Sequence, residues 1–220
     1  MMRKFSAVLL ALALVGTSVG AAQTSIGGGM QYLSFGGSDF EGTDGGMGFE
    51  ANLMFPAGKA LMLGVSGQWS THNNDFSDDL TALGIFGEGR YLFRSTSGSK
   101  LTPYVGGRLG WAKGSQTISA SEVGGSTGSA DLSTSGFAFG GGAGLMVALS
   151  PAVSLDVNGI IHSVSFGDTH AKGNIDGTPI DDDIPDSSAG GTAVQLRAGF
   201  SFKLGRGRKE PPRGMKKKDT

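Results

Sequence analysis

Apolar and polar residues alternate along much of this chain. Between residues 194 and 204 one face reads Val194, Leu196, Ala198, Phe200, Phe202 and Leu204, and the other reads Gln195, Arg197, Gly199, Ser201 and Lys203. Residues 153–162 repeat the pattern, with Val153, Leu155, Val157, Gly159 and Ile161 set against Ser154, Asp156, Asn158, Ile160 and His162. A period of two belongs to a β-strand whose faces meet different surroundings. A run of about ten residues is the length a tilted strand needs to cross a hydrocarbon layer. The same reading predicts strands over 24–35, 47–55, 60–69, 80–93, 101–112 and 136–149, which with the first two makes eight. The glycines of 24–35 blur its two faces.

The links between these strands alternate in length. Those at 56–59, 94–100 and 150–152 are short, and those at 36–46, 70–79, 113–135 and 163–191 are long. A soluble two-sheet sandwich has no reason to keep that order. An all-β, eight-stranded antiparallel up-and-down transmembrane β-barrel does, with short periplasmic turns, longer outer loops and both termini periplasmic. Direction of travel then gives each residue a depth. Phe55, Tyr91, Phe93, Phe200 and Phe202 fall near the periplasmic end, and Phe49, Trp69, Trp111 and Phe139 toward the outer end. Two aromatic girdles are expected, because a core aromatic stripe would not sort its rings to both ends.

Ionisable residues within the strands keep to the opposite parity: Glu50, Glu88, Arg90, Arg108, Asp156, Arg197 and, at the lower rim, Lys203. An Arg or Lys at the lipid midplane costs about 2–4 kcal/mol, so this parity faces inward. Eight strands enclose only enough room for side chains. Because an unpaired buried charge costs about 3–5 kcal/mol, the interior charges should balance. Glu50, Glu88 and Asp156 oppose Arg90, Arg108 and Arg197, which predicts an ionic network plugging the lumen. Depth places Glu50, Arg108 and Arg197 in the outer half and Glu88, Arg90 and Asp156 in the periplasmic half. A water-filled polar lining is the alternative, and steady conductance would favour it.

The ends complete the domain organisation. Residues 1–22 carry Arg3 and Lys4, a short apolar run and then Gly20, Ala21 and Ala22, which reads as a secretory signal peptide with Gln23 first in the mature chain. The apolar run is too short for a membrane helix. The sequence has no cysteine, which excludes disulfides, thiolate metal sites and a cysteine nucleophile. The barrel is expected over residues 23–204, followed by a basic, disordered periplasmic tail over 205–220. A formal net charge of −1 argues against a nucleic-acid partner. The 40 glycines follow no collagen-like period.

Three stretches resemble a known family. They are LTPYVGGRLGWA at 101–112, FAFGGGAGLMVALSPAVSLDVN at 137–158 and AVQLRAGFSFKL at 193–204. Together they are similar to the small outer-membrane β-barrels, the outer-membrane protein A-like transmembrane domain. The resemblance implies residence in the outer membrane of a Gram-negative-type cell envelope, surrounded by outer-membrane lipid and lipopolysaccharide. It also implies a closing strand read by the barrel-assembly machinery during insertion. Many members end at the aromatic residue of the last strand, whereas this chain continues as GRGRKEPPRGMKKKDT. Arg206, Arg208, Lys209, Arg213, Lys216, Lys217 and Lys218 could meet anionic headgroups or cell wall, although a merely solvated tail is the favoured reading.

Other motifs carry little chemistry. His162-Ser163-Val164-Ser165 is the one place where a nucleophile and base adjoin, but the spacing differs from that of lipid A deacylases and His162 has inward parity. Gly106-Gly107 and the cluster from Gly140 to Gly144 lie within strands and lack a phosphate-loop ending. Asp168, Asp176, Asp181, Asp182, Asp183 and Asp186 could take Ca²⁺ or Mg²⁺, but no twelve-residue calcium loop is present. His72, His162 and His170 are too scattered for zinc. The expected function is non-enzymatic, structural or surface-interacting, without cofactor or bound metal and as a monomer. A conduit for small apolar solutes, or a porin-like channel, is the alternative; Ala138, Gly140, Gly142 and Gly144 would favour it. A lipid A-modifying acyl hydrolase is the least favoured reading.

Overall fold

The computed structural model describes residues 23–73, 79–93, 99–119, 127–185 and 187–204. The signal segment 1–22, the tail 205–220, Asp186 and the link residues 74–78, 94–98 and 120–126 lie outside the described residues. The strands are β1 (Ser25–Gly36), β2 (Gly46–Pro56), β3 (Leu61–His72), β4 (Leu80–Leu92), β5 (Leu101–Ser119), β6 (Gly128–Ala148), β7 (Val153–Phe166), β8 (Thr169–Ile175), β9 (Thr178–Ile184) and β10 (Gly190–Lys203). One 3-10 turn, Ser38–Phe40, lies in the first long link. Neighbours run β5-β4-β3-β2-β1-β10-β7-β6, and β5 also pairs with β6, so eight strands close on themselves. All the pairings are antiparallel.

Register sets the barrel's dimensions. Stepping from Ser25 through Met54, Gly64, Glu88, Arg108, Gly140, His162 and Ala193 returns to β1 at Phe35, ten residues along. With ordinary strand rise and spacing, that stagger implies a tilt of about 40° and a backbone radius of about 8 Å. Such a cylinder holds side chains and no wide pore.

The alternation in sequence becomes an inside and an outside. β10 reads exposed-buried-exposed from Thr192 to Phe202, with Gln195, Arg197 and Ser201 buried and Val194, Leu196, Phe200 and Phe202 exposed. In β1 the odd residues Ser25, Gln31 and Leu33 point inward and Ile26, Met30 and Tyr32 outward, which resolves the faces its glycines had blurred. On β5 the exposed apolar band runs from Leu101 to Trp111 and gives way above to Lys113 and Ser115. At a tilt near 40°, the Leu101–Trp111 stretch is about 25 Å tall, which matches the hydrocarbon band of outer-membrane barrels.

Two of the long links differ from the expectation of irregular chain. The link 113–135 is largely strand, because β5 and β6 stay paired out to Ser119 and Ser129. The link 163–191 contains a hairpin, β8–β9, turned at Asp176 (φ 52°) and Gly177 (φ 80°). β8 pairs with the projecting start of β6, from Gly128↔Ile175 to Ser133↔His170. A sheet edge left bare above the membrane is thereby covered.

Candidate functional site: the barrel interior and its outer mouth

The six predicted inward charges come from five strands, Glu50 on β2, Glu88 and Arg90 on β4, Arg108 on β5, Asp156 on β7 and Arg197 on β10. Glu50, Glu88, Arg90, Arg108, Asp156 and Arg197 are all buried, none more than 7% exposed. Lys203 is exposed at the rim and takes no part. Arg90 donates through Nε to Glu88 Oε1 at 2.5 Å and through Nη1 to Asp156 Oδ2 at 2.7 Å. Arg108 Nη1 donates to Glu50 Oε2 at 2.7 Å. Arg197 donates to both Glu50 and Asp156. The two groups distinguished by depth are not separate networks, because Arg197 joins them into one belt. Three cations and three carboxylates within an ~8 Å radius reach one another whatever their nominal depth.

Neutral polar groups that sequence reasoning did not single out complete the belt. Tyr104 donates its hydroxyl to Asp156 Oδ1 at 2.7 Å, and the Asn158 amide lies 2.9 Å from that hydroxyl. Arg108 Nη2 reaches Gln68 Oε1 at 2.8 Å, His162 Nε2 at 2.7 Å and Gln195. Gln195 donates to Glu50 at 2.9 Å and to Gln31 at 2.5 Å. The guanidinium carbons of Arg108 and Arg90 lie 4.4 Å from the Phe86 and 5.0 Å from the Tyr104 ring centroids, so π faces share the cations. Inward parity was the available signal for Tyr104, which stands four residues before Arg108.

Apolar layers lie above and below, and the sequence reading had not foreseen them. Toward the outer end, Leu33, Phe86, Ala138, Val164, Phe166 and Ala193 form one cluster, with Phe35 and Phe40 packed on it. Phe40 comes from the 3-10 turn of the first outer link. It stacks on Phe35 at 5.0 Å and meets Phe166 edge-on at 6.1 Å. His72 fixes that link from β3: its Nδ1 lies 3.1 Å from the Asp44 carbonyl and its Nε2 2.9 Å from Ser70 Oγ. A carbonyl only accepts, so Nδ1 carries the proton and Ser70 donates to Nε2. Toward the periplasmic end, Met54, Met62, Leu92 and Tyr104 form a second cluster with Met146 against it.

The catalytic and metal-binding motifs are taken apart by this geometry. His162 faces inward against Arg108, while Ser163 and Ser165 are exposed on the other face of β7. Among the described residues no three His, Asp or Glu side chains gather as a cation site. Asp181 and Asp183 instead face His170, at 3.1 and 2.9 Å.

Outside, aromatic residues lie exposed toward both ends of the barrel. Phe49 and Trp69 are direct cross-strand partners, and Trp111 and Phe139 lie exposed at the outer end. Tyr91, Phe93, Phe200 and Phe202 are exposed at the other, with Phe55 half-buried beside them. Phe137, not assigned to a girdle from sequence, packs 6.3 Å from Phe139. Between the rings Ile85, Val105, Leu109, Val157 and Leu196 are exposed. An apolar exterior around a charged interior is an inversion of the soluble arrangement.

No protein-family model and no curated protein matches the sequence. Solved structures do match its fold. Neisserial surface protein A superposes with a TM-score of 0.57 at 18% identity, over 84% of this chain and 100% of that one. A major outer membrane protein from Thermus thermophilus gives 0.57 at 14% identity, over 83% and 100%. This is the fold of the small outer-membrane β-barrels. The outer membrane protein OprG from Pseudomonas aeruginosa is similar as well, at a TM-score of 0.53 and 14% identity, over 84% of this chain and 97% of that one. In barrels of this fold an apolar band of about 25 Å bounded by aromatic residues is the surface that meets the membrane, and here the outer ends of β5 and β6 and the β8–β9 hairpin stand clear of that band.

Proposed function

We propose that the protein is a sealed, non-enzymatic outer-membrane barrel whose working surface is its outer loops. The observation that carries this reading is the three-layered interior: a phenylalanine-rich cluster at the outer mouth, a charge-balanced belt beneath it and a methionine-rich cluster at the periplasmic end. An ion would have to displace paired, buried charges to pass, and breaking such a pair costs about 3–5 kcal/mol. Burial of His162 against Arg108, with Ser163 on the opposite face, leaves no nucleophile and base within reach of each other there.

Planar-bilayer recording of the purified full chain tests the seal. The expected trace shows no steady conductance, and reproducible open-channel steps would replace the sealed reading with the porin-like one. The conduit reading draws on a small apolar cavity of about 20 Å³ below the outer mouth, lined by Leu33, Phe86, Val164 and Ala193. That void ends on Gln68 and His162, both hydrogen-bonded to Arg108 in the belt.

A further inference from the structure

A second cavity opens at the outer end, above the apolar cluster that closes the mouth. Its space, about 320 Å³ and open to solvent, lies between the first outer link and the projecting parts of β5, β6 and β8. Phe40 and Phe166 form its floor, and Leu80, Ile118 and Leu132 line its apolar walls. Asp39 and Glu41 are its charged lining groups, and no Lys, Arg or His joins them among the described residues. Asp39 already accepts from the Gly190 amide through Oδ2 at 2.8 Å and from Ser38 at 3.2 Å, which fixes its carboxylate. The Glu41 carboxylate has no hydrogen-bond or ion-pair partner among the described residues, and the residue is exposed and lines the cleft.

The wider surface repeats this sign. Of the 19 Asp and Glu residues of the chain, fourteen fall in the segments 36–46, 70–79, 113–135 and 163–191, beside only two Lys and no Arg. The links at the other end, 56–59, 94–100 and 150–152, hold no acid and carry Lys59, Arg94 and Lys100. A formal net charge of −1 therefore conceals a strongly acidic outer end and a basic inner one. Such a field concentrates cations at the outer mouth and repels anions from it.

We infer that this vestibule binds a small amphiphilic organic cation, one with a planar or aliphatic apolar body and a cationic nitrogen. The body would lie against Phe40, Phe166, Ile118 and Leu132, and the nitrogen would face Glu41 and Asp39. Pockets of a few hundred Å³ with apolar walls and a few fixed polar groups are typical of small-ligand sites. The phenyl faces add a cation–π contribution. A bare metal ion would gain nothing from the apolar walls, and an anion would meet two carboxylates. This inference rests on the outer loops being the working surface but not on the lumen being sealed.

The test is fluorescence anisotropy with proflavine, a tricyclic aromatic cation, on the full chain in phosphatidylcholine nanodiscs. Saturable binding at one site is expected, with fluorescein, an anion, showing none. The double variant D39N/E41Q should weaken binding about tenfold or more, as loss of charge-assisted partners does. Leu132→Ser should weaken it several-fold, and Asp182→Asn, outside the cleft, should leave it unchanged. Each variant is checked for the wild-type heat-dependent gel shift, so that a folding defect is separated from a binding one. Undiminished binding by D39N/E41Q, or an equal loss in Asp182→Asn, would overturn the site in favour of diffuse charge attraction. Conductance and dye binding fail independently, so the seal and the site are judged apart.

Discussion

Tyr104 lies across the β5–β6 pair directly opposite Gly144, and a β-carbon on Gly144 would overlap its ring. The glycine provides the room in which the ring lies down on the neighbouring strand, its hydroxyl aimed at Asp156. Gly144→Ala should therefore displace the ring and break the Tyr104–Asp156 bond. Overpacking of this kind costs about 1–3 kcal/mol. Gly141→Ala, whose β-carbon would face outward with Gly106 O at 3.4 Å as its nearest neighbour, is the control and should cost little. Urea-unfolding midpoints in lipid vesicles separate the two, and equal midpoints would contradict the account.

Asp156 accepts from Arg90, Arg197 and Tyr104 at once. Asp156→Asn keeps the shape and removes the charge, leaving three guanidinium groups opposite two carboxylates. A loss of about 3–5 kcal/mol is expected, the cost of leaving a buried cation uncompensated. Lys203→Gln, at the exposed rim, should change the unfolding midpoint by little. A neutral D156N would mean that water reaches the belt.

The parts of this molecule legible in its sequence are those that two media dictate. Leu196 beside Arg197 can satisfy oil and a charged lumen only as neighbours on a strand, so parity, strand number and the six inward charges follow from alternation alone. The apolar interior was not legible, because Phe86 and Val164 on the inward parity look like errors in a polar row until Phe35 and Phe40 are seen packing beside them. The extension of β5 and β6 was hidden for another reason. Above the membrane both faces meet water, so Gln116, Thr117 and Ile118 carry no alternation, and only the ladder to Asp131 and its neighbours keeps them extended. One signal was overlooked: Asp176-Gly177 is a favoured pair for a tight hairpin turn, and it lies midway between β8 and β9.

Leu196, 57% exposed between the girdles, tests the membrane-facing surface. Leu196→Arg should destabilise the inserted barrel by about 2–4 kcal/mol, the midplane cost of an arginine, while Ser165→Arg, level with the outer-girdle residue Phe137, should cost about 0–1 kcal/mol. Reversible unfolding from vesicles gives both values. If the two substitutions cost the same, the exterior of β10 does not face hydrocarbon.

His170, on β8, sets a pH dependence on the outer hairpin. Its Nδ1 lies 2.9 Å from Asp183 Oδ1 and its Nε2 3.1 Å from Asp181 Oδ1, while Lys172 approaches the other Asp181 oxygen at 3.6 Å. Carboxylates only accept, so both contacts are satisfied only when both ring nitrogens carry protons. The bond to Asp183 leads in raising the imidazole above its ordinary value of 6.5, and the charges of Asp183 and Asp181 add to it. A group whose folded pKa is raised contributes stability that is fully present below the unfolded value and is lost as pH rises through the folded one. The β8–β9 pairing should therefore be firmer at pH 6 than at pH 8.5. Amide exchange at Ala171 and Asp182, corrected for the intrinsic pH effect, should show higher protection at the lower pH, and Asp183→Asn should flatten most of the difference. Because the ring is solvent-exposed and salt screens it, the effect should shrink at high ionic strength. Protection that is the same at both pH values in low salt would show that the hairpin is held by its backbone ladder to β6 and not by this ion pair.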